Sequence, residues 1–506
     1  MNRQIRQLAL GLMTCYVVLF ATLNYWQVAQ EEVLSANVEN TRAVRREFEK
    51  PRGPIITADG VIAAQSVPNP DPEATFDRVR EYPTGDLLSG ATGYFTLSFG
   101  SNQVEREFGD VLTGSTTEQQ VRALTDLLST EVDNSGTVQL ALRHDLQQVA
   151  KFLLGGRTGS VVVMEVETGA VRAMYSNPGY DPNTFVDAPF EEAQDTIVAL
   201  QDAPGDPLLA AAYQQRFMPG STFKVVTTGI GLEAGVLFPE REFVRESEWV
   251  PPQTTDPIEN YRGSTCGGNL AEVFRRSCNI PFAQTAIELG AERMVAGTEA
   301  WGIGEELPID LPRPAASTFG NTDDLDQRLP LLGIRGFGQN EDQMVPMHMA
   351  MVAATVANGG RMMSPYIVEA TYDKNGRVLD RADPDVWKTP ISPQNAALLT
   401  DLMTGVSEGD GGTARSVTLD GGVRFAAKTG TAELGLIGDP DLVHAWMIGF
   451  APLEAPKYAI AVVLTDLTST TADAATGGRV AGPVVKGMLD YLITGEGASV
   501  QLGGPR

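Results

Sequence analysis

The sequence predicts an α+β fold in which a mainly antiparallel sheet is flanked by helices. Two apolar strands, at 160–166 and through Tyr175, are separated by a Glu-Thr-Gly turn, which favours antiparallel pairing. A long stretch with helical patterns follows, including a helix at 346–357. Three more strands and a closing helix end the domain, at 425–431, 444–451, 458–464 and 484–493. Strands and helices that are segregated along the chain are typical of the α+β class.

An uncharged stretch at 8–28 is long enough for a membrane-spanning helix, which needs about 20 residues. Arg3 and Arg6 precede this stretch, and two glutamates follow it. By the positive-inside rule, residues 1–7 form a cytoplasmic tail and the rest of the chain lies outside the plasma membrane. A cleaved signal peptide is the alternative, but no clear small-x-small cleavage site follows.

The length of 506 residues suggests two or three domains. The patterns predict a small N-terminal pedestal domain, a linker helix, the α+β domain and a C-terminal tail, at 29–137, 138–155, 156–495 and 496–506.

Two local features are expected in the pedestal: a hairpin after Arg52, turning at Ala58-Asp59-Gly60, and a helix at 117–128. Within the α+β domain, the acidic, Pro-containing stretch 177–207 is expected to be a mobile segment.

The charge balance narrows the choice of partners. Asp and Glu total 64 against 38 Lys and Arg, which gives a formal net charge of -26. Nucleic acid is therefore excluded as a partner, because phosphate binding needs a basic face. The acidic excess is explained most simply by solubility.

The chemistry is expected around Pro219-Gly220-Ser221-Thr222-Phe223-Lys224. Pro-Gly ends the preceding element and Ser221 is a good helix N-cap, with an apolar stripe following at helical spacing. Residues three apart share one helix face, so the Ser221 hydroxyl and the Lys224 amine can meet. An amine in a dry pocket can act as the base that activates a serine nucleophile. The alternative is a capping serine followed by a surface lysine.

Two later motifs favour the catalytic interpretation of Ser221 and Lys224 over this alternative. Ser277-Cys278-Asn279 follows a short helix, and Lys428-Thr429-Gly430-Thr431 lies on a predicted strand. Ser-x-x-Lys, Ser-x-Asn and Lys-Thr-Gly in this order form the motif set of penicillin-interacting serine enzymes. Taken singly, Ser277 and Asn279 could be a helix-capping turn, and Lys428 an edge-strand lysine.

With these motifs the chain resembles the class B penicillin-binding proteins, which are monofunctional peptidoglycan D,D-transpeptidases. The resemblance runs from the apolar N-terminal stretch to the last helix. It is also carried by an Arg-Gly-Pro-Ile turn, a Gly-Phe-Gly-Gln stretch, an Asn-Gly-Gly helix end and a His-Ala-Trp strand, at 52–55, 336–339, 358–360 and 444–452.

The resemblance implies a fold and a set of residue roles. The fold would be a penicillin-binding transpeptidase domain of the serine β-lactamase-like type. Ser221 would attack the penultimate D-Ala carbonyl of a stem peptide, with Lys224 as the base. Ser277 would relay a proton to the leaving nitrogen, and Asn279 would orient Lys224 and bind the substrate amide. Lys428 and the Thr429-Gly430-Thr431 stretch would hold the substrate carboxylate.

The resemblance also implies what the protein binds. The ligands would be D-Ala-D-Ala stem peptides and β-lactams, with no metal and no cofactor. The partner would be a multi-span SEDS-family glycan polymerase, contacting the 8–28 helix and the N-terminal domain.

Rival functions and a rival triad are also weighed. A membrane-anchored serine β-lactamase-like hydrolase would carry the same motifs. It commonly uses a Glu-x-x-x-Asn stretch for deacylation, and none lies between Asn279 and Lys428. A β-lactam sensor would need further spans or a signalling domain. His444 lies in a predicted strand without a Gly-x-Ser-x-Gly elbow, so a Ser-His-Asp triad is not expected.

The three cysteines are placed as follows. Cys15 lies in the apolar stretch, whereas Cys266 and Cys278 lie outside, where oxidation is permitted. The spacing leaves open a disulfide or two small buried thiols.

Overall fold

The computed structural model describes residues 2–26, 48, 50–71, 73, 76–120, 133–434, 442–468 and 476–495. An exposed helix, Asn2–Asn24, covers most of the predicted membrane span and is long and apolar enough to cross a membrane. Most of the helix expected at 117–128 and the whole tail at 496–506 lie outside the described residues.

The main sheet has five antiparallel strands, as the sequence predicts. In spatial order they are Ala426–Glu433, Leu442–Ala451, Tyr458–Thr468, Gly159–Glu165 and Val171–Asn177. The helix Pro346–Ala357 packs against the central strands, and Gly482–Thr494 and His144–Leu154 pack on the sheet as well. Because helices cover it, the central strands of the sheet are nearly continuous apolar runs rather than alternating residues.

The Pro346–Ala357 helix has the predicted bounds. Proline opens it at the first helical position, where no N–H is needed. Ala350, Ala353 and Ala354 are at most 2% exposed, and such small side chains let the helix approach the sheet closely.

A second, helical layer lies between the two groups of strands in the sequence. Its longer members are Lys224–Glu233, Leu270–Arg275, Ile280–Ala300, Leu329–Arg335 and Pro393–Glu408. The Lys224–Glu233 helix contacts the Ile280–Ala300 and Pro393–Glu408 helices, while the turn before it contacts the Ala426–Glu433 strand. The junction of the two layers therefore brings together segments that are far apart in the chain.

The stretch 177–207 is more regular than predicted, because it contains the helix Phe190–Gln201. Ala193 and Ile197, four residues apart, are both buried on one face. Glu191 and Glu192 lie in its first turn, where negative charge is favoured by the helix dipole. The acidic residues that suggested a mobile segment therefore stabilise the start of a helix.

The N-terminal domain is organised around a six-stranded sheet. The predicted hairpin is present as Ile55–Ile56 and Ile62–Pro68. In spatial order the strands are Val378–Arg381, Val368–Tyr372, Thr137–Leu140, Ile55–Ile56, Ile62–Pro68 and Arg78–Glu81. The first two come from within the predicted α+β segment, so this sheet ties the two domains together across the sequence boundary.

A buried ion cluster fixes the N-terminal domain from inside. Glu105 accepts hydrogen bonds at 2.6 Å from the Nε atoms of both Arg52 and Arg80. Burial alone would raise the pKa of Glu105, but Arg80 and Arg52 together lower it below its ordinary value. One carboxylate thus holds the start of the hairpin strand and the edge strand in place.

The remaining elements are short. The strands are Phe95–Thr96, Gly100–Ser101, Glu242–Glu246, Glu248–Trp249, Ile258–Glu259, Cys266–Asn269, Met362–Met363 and Val386–Lys388. The helices are Ser89–Thr92, Gln103–Glu107, Gly109–Thr113, Ala211–Gln214 and Gly477–Val480, with single 3-10 turns at Gly85–Leu87, Pro182–Thr184, Gly220–Phe223, Tyr261–Gly263, Leu325–Gln327 and Asp420–Gly422.

Of the two states that the sequence left open for the external cysteines, the structure has the disulfide. Cys266 and Cys278 are bonded, and both are buried. The bond links the Cys266–Asn269 strand to the loop that carries Ser277 and Asn279.

Candidate active site

Ser221 lies in a 3-10 turn, Gly220–Phe223, which continues directly into the helix Lys224–Glu233. The predicted N-cap role of Ser221 is wrong, since Pro219 occupies the cap position. Pro219 already has helical torsion angles, with φ -78° and ψ -22°. The helical run therefore begins before Ser221, and the serine hydroxyl is left available for another contact.

Glycines let three separated segments meet at this turn. The Gly220 N–H donates to the Gly338 carbonyl at 2.8 Å. A Cβ on Gly338 would lie 2.2 Å from the Gly220 oxygen, and one on Gly430 would lie 2.6 Å from the Pro219 oxygen. The turn, the Gly-Phe-Gly-Gln stretch and the Lys-Thr-Gly strand thus pack backbone against backbone.

The second strand of the sheet also anchors the turn. The Trp446 indole N–H donates to the Met218 carbonyl at 2.9 Å. Trp446 is fully buried and pairs with Gly430 on the neighbouring strand. The residues before Ser221 are therefore held against the strand that carries Lys428.

Lys224 is completely buried beside Ser221. Its Nζ lies 2.9 Å from the Ser221 Oγ, 2.8 Å from the Ser277 carbonyl oxygen and 2.9 Å from the Asn279 Oδ1. The rings of Phe282 and Phe337 complete its surroundings, with centroids 5.4 and 5.8 Å from Nζ. The alternative of a surface lysine is therefore wrong.

These contacts suit a neutral amine. Burial, and then the nearby Lys428, hold the pKa of Lys224 well below its ordinary value. A neutral amine has two N–H groups and one lone pair. The Ser277 carbonyl and the Asn279 Oδ1 are both acceptors, so they take the two N–H groups. The lone pair is left for the Ser221 hydroxyl, which is the arrangement of a general base.

Lys428 is also completely buried, although its strand lies at the edge of the sheet. Its Nζ donates to the Ser277 Oγ at 2.8 Å and to the Thr429 carbonyl at 2.9 Å. Burial lowers the pKa of Lys428 to about 7. The Ser277 Oγ thus lies between two amines, since the Lys224 Nζ is 3.4 Å away from it.

The Ser277–Asn279 loop is not an ordinary capping turn. Ser277 has φ 60°, a left-handed conformation that costs a non-glycine residue about 1–3 kcal/mol. Asn279 stands at the start of the helix Ile280–Ala300, but its side chain makes no capping bond there. Both side chains are turned toward the two lysines instead.

The Lys-Thr-Gly strand contributes two hydroxyls beside Ser221. The Thr429 Oγ1 lies 2.6 Å from the Thr413 Oγ1. The Thr431 Oγ1 accepts from the Gly477 N–H at 3.3 Å. The sequence reasoning missed Thr413 and Gly477, because neither belongs to a motif and only the fold brings them to the strand.

A cavity of about 600 Å³ opens over Ser221. The predicted residues Ser277, Asn279, Thr429, Gly430 and Thr431 line it, while the two lysines lie beneath its floor. Residues not predicted also line it, among them Tyr261, Arg262, Arg276, Phe337, Gln339 and Thr413. Phe337 and Gln339 lie in the Gly-Phe-Gly-Gln stretch, which was a signal in the sequence.

Two other candidate catalytic residues, His444 and Cys278, have structural positions. The His444 ring meets Phe217 edge-on, with centroids 5.5 Å apart, in a largely buried position. Cys278, being in the disulfide, is unavailable as a nucleophile.

Comparison with known proteins agrees with this geometry. Residues 159–490 match the model of the penicillin binding protein transpeptidase domain, and residues 52–138 match that of the penicillin binding protein A dimerisation domain. The chain is 34% identical to the peptidoglycan D,D-transpeptidase PbpA of Mycolicibacterium smegmatis, over 96% of this chain and 97% of that protein. It is 33% identical to PbpA of Mycobacterium tuberculosis, over 98% and 100%.

Solved structures give the same result. The ceftriaxone acyl-enzyme complex of penicillin-binding protein A from M. tuberculosis superposes with a TM-score of 0.80 at 32% identity. The match covers 88% of this chain and 99% of the other.

The backbone packing at Gly338 can be tested by substitution. Gly338→Ala would place a methyl group against the Gly220 carbonyl, and Gly376→Ala is a matched control with a similar positive φ but no neighbour within 4 Å. We expect Gly376→Ala to lower the free energy of unfolding by about 1–2 kcal/mol, and Gly338→Ala by about 3 kcal/mol or more. Denaturant unfolding of the full chain in detergent measures both, and equal losses would contradict the close approach.

Proposed function

The chain belongs to the class B penicillin-binding proteins, and on that basis we propose that it crosslinks peptidoglycan through an acyl-enzyme on Ser221. The donor is a stem peptide ending in D-Ala-D-Ala. Ser221 attacks the penultimate carbonyl, the terminal D-Ala leaves, and an amine of a neighbouring stem peptide takes the acyl group. β-Lactams acylate the same serine and inhibit the enzyme during cell-wall growth and division. The observation that carries the proposal is the Lys224 amine, aimed at the Ser221 hydroxyl by two carbonyl oxygens.

The proton path follows from the contacts. Lys224 takes the Ser221 proton as the C–O bond forms, since burial and the nearby Lys428 lower its pKa and so favour the neutral amine that can accept it. The Ser277 hydroxyl contacts both amines, at 2.8 Å from Lys428 and 3.4 Å from Lys224. It can pass a proton to the leaving nitrogen, so that the D-Ala amine departs neutral.

Substrate binding is assigned to the strand side of the cavity. The hydroxyls of Thr429 and Thr431 border the cavity and hold the terminal carboxylate, with the charge of Lys428 beneath them. The backbone N–H groups of Ser221 and Thr431 form the oxyanion hole, where one donor is typically worth about 3 kcal/mol. The Asn279 Nδ2 has two N–H groups: one donates to the Glu259 carbonyl at 3.1 Å, and the other binds a substrate amide.

The membrane orientation is part of the proposal. Arg3 and Arg6 lie in the first two turns of the Asn2–Asn24 helix, ahead of its uncharged stretch, which favours a cytoplasmic N-terminus and an extracellular catalytic domain. Peptidoglycan is assembled on that outer side.

The partner is proposed to be a SEDS-family glycan polymerase, since the family resemblance supplies a crosslinking activity without a glycan-polymerising one. The contact would use the N-terminal apolar helix and the N-terminal domain. We expect co-purification with the polymerase to disappear when both regions are deleted, and co-purification that survives both deletions would refute this assignment.

Labelling of intact cells tests both the nucleophile and the orientation. Cells that produce the full chain are treated with a fluorescent, membrane-impermeant penicillin. We expect one slowly lost adduct, located by mass spectrometry on the peptide that contains Ser221, and no adduct on Ser221→Ala.

The two parts of this test fail separately. Labelling that appears only after lysis would contradict the orientation. Labelling of Ser221→Ala would contradict the assigned nucleophile, whereas rapid release of the drug from the wild type would favour a hydrolase.

The pH dependence tests the role of Lys428. Its pKa of about 7 means that the free enzyme loses this charge as the pH rises through that region. If the charge attracts the carboxylate, the second-order acylation constant, which reports the free enzyme, falls on the alkaline side. Arginine stays protonated, so Lys428→Arg should be slower overall but lack that alkaline fall. If the acylation constant of Lys428→Arg still fell on the alkaline side as in the wild type, Lys428 would not be the group whose titration causes that fall.

A further inference from the structure

We infer that Asn260 is a positioning residue, which holds the Ser277–Asn279 loop so that Asn279 and the Ser277 carbonyl face Lys224. This role deepens the proposed function and rests on it. Asn260 lies in no catalytic motif, 17 residues before Ser277 in the chain.

Asn260 is 2% exposed, and its side chain makes hydrogen bonds on two sides. Its Oδ1 accepts from the Asn279 N–H at 2.8 Å and from the Ile280 N–H at 3.2 Å. Its Nδ2 donates to the Glu246 carbonyl at 2.8 Å, which fixes the orientation of the amide. The side chain therefore joins the Glu242–Glu246 strand to the start of the Ile280–Ala300 helix.

The Asn279 side chain is not used to cap its helix and is available for the active site. An asparagine at a helix start commonly caps the helix with its own side chain. Here the second helical residue is Pro281, which has no N–H, and the Phe282 N–H donates to the Asn279 carbonyl at 3.1 Å, so the Asn279 side chain makes no capping bond. Asn260, from another segment, instead accepts the backbone N–H groups of Asn279 and of the next residue, which precede the positions that a cap side chain bonds. The Asn279 side chain can therefore point toward Lys224.

The neighbouring residue settles which end of the Asn279 amide faces the lysine. The Asn279 Nδ2 donates to the Glu259 carbonyl at 3.1 Å. That carbonyl is an obligate acceptor, so the Oδ1 is left on the Lys224 side, 2.9 Å from Nζ. Glu259 and Asn260 thus position the side chain and the backbone of Asn279 together.

The loop needs this support because it is strained. Ser277 has φ 60°, and such conformations persist only where the surroundings over-determine them. The disulfide to Cys266 holds Cys278, in the middle of the loop. Asn260 holds the two residues that follow Cys278, namely Asn279 and Ile280.

Removing the Asn260 amide should misalign the base. Asn260→Ala leaves two N–H groups at the helix start without this acceptor, and the Ser277 backbone can then relax. A displacement of about 1 Å at a catalytic group can cost on the order of 100-fold in rate. We therefore expect the second-order constant for acylation by penicillin G to fall about 100-fold in Asn260→Ala.

The measurement separates positioning from stability. The acylation constant is expressed per titratable active site of the full chain in detergent, between pH 5 and 10, so partial unfolding lowers the amplitude but not the constant. The matched control is Asn102→Ala in the N-terminal domain, where a 7% exposed asparagine accepts the Tyr94 N–H at 2.7 Å. We expect the control to lose stability and keep the wild-type constant.

The conservative variant provides the rescue. Asn260→Asp keeps an acceptor for both N–H groups but loses the donor to the Glu246 carbonyl, so at high pH it should recover part of the acylation rate lost in Asn260→Ala. Lys428, on the facing strand, already acts on Lys224. A new carboxylate has the opposite effect to Lys428, because it favours the ammonium form of Lys224. The acidic limb of the pH profile of the acylation constant should therefore move to higher pH in Asn260→Asp.

Hydrogen exchange gives a readout that does not depend on acylation. Mass spectrometry of peptides covering 276–283 should show faster exchange at Asn279 and Ile280 in Asn260→Ala than in the wild type and in Asn102→Ala. A wild-type acylation constant in Asn260→Ala, no recovery in Asn260→Asp, or unchanged exchange would overturn the inference. If wild-type protein is not acylated at all, the proposed function fails, while the exchange data still decide the role of Asn260.

Discussion

The structure depends on one interaction, in which an amine without access to water faces a serine hydroxyl. Two carbonyl oxygens, from Ser277 and Asn279, accept the N–H groups of Lys224, so its lone pair is directed by geometry. Burial and the charge of Lys428 lower the pKa of Lys224, which favours the neutral amine. If any of these groups moved away, Lys224 would be an ordinary protonated lysine or an unaligned one, and Ser221 would be a weak nucleophile.

The surrounding fold excludes water from the Lys224 amine. The sheet supplies Lys428, the helical layer supplies Ser221 and Ser277, and the site lies where the layers meet. At this junction, Gly338 packs closely against the backbone of Gly220, and Gly430 against the backbone of Pro219. Trp446, in the second strand of the sheet, fixes the carbonyl of Met218 ahead of the serine turn.

The active site lowers the stability of the folded state. Two lysines are completely buried, and a non-glycine residue adopts a left-handed conformation between them. Burying amines that are charged in the unfolded chain opposes folding, and the Ser277 backbone adds strain. The disulfide, the Asn260 contacts and the large apolar core compensate, which is the usual trade between stability and a reactive site.

The sequence by itself determined the sheet strands, the Pro346–Ala357 helix and the identity of the motif residues, because periodicity and motif spacing are local properties. It misjudged the cap at Ser221 and the helix at Phe190–Gln201, where torsion angles and burial of one face decided the outcome. Only the tertiary structure decided the disulfide, the strands that residues 368–381 add to the N-terminal sheet, and the contacts of Thr413 and Asn260. Those features arise from contacts between residues distant in the chain, and no local pattern encodes which distant partner will fill a given hydrogen bond.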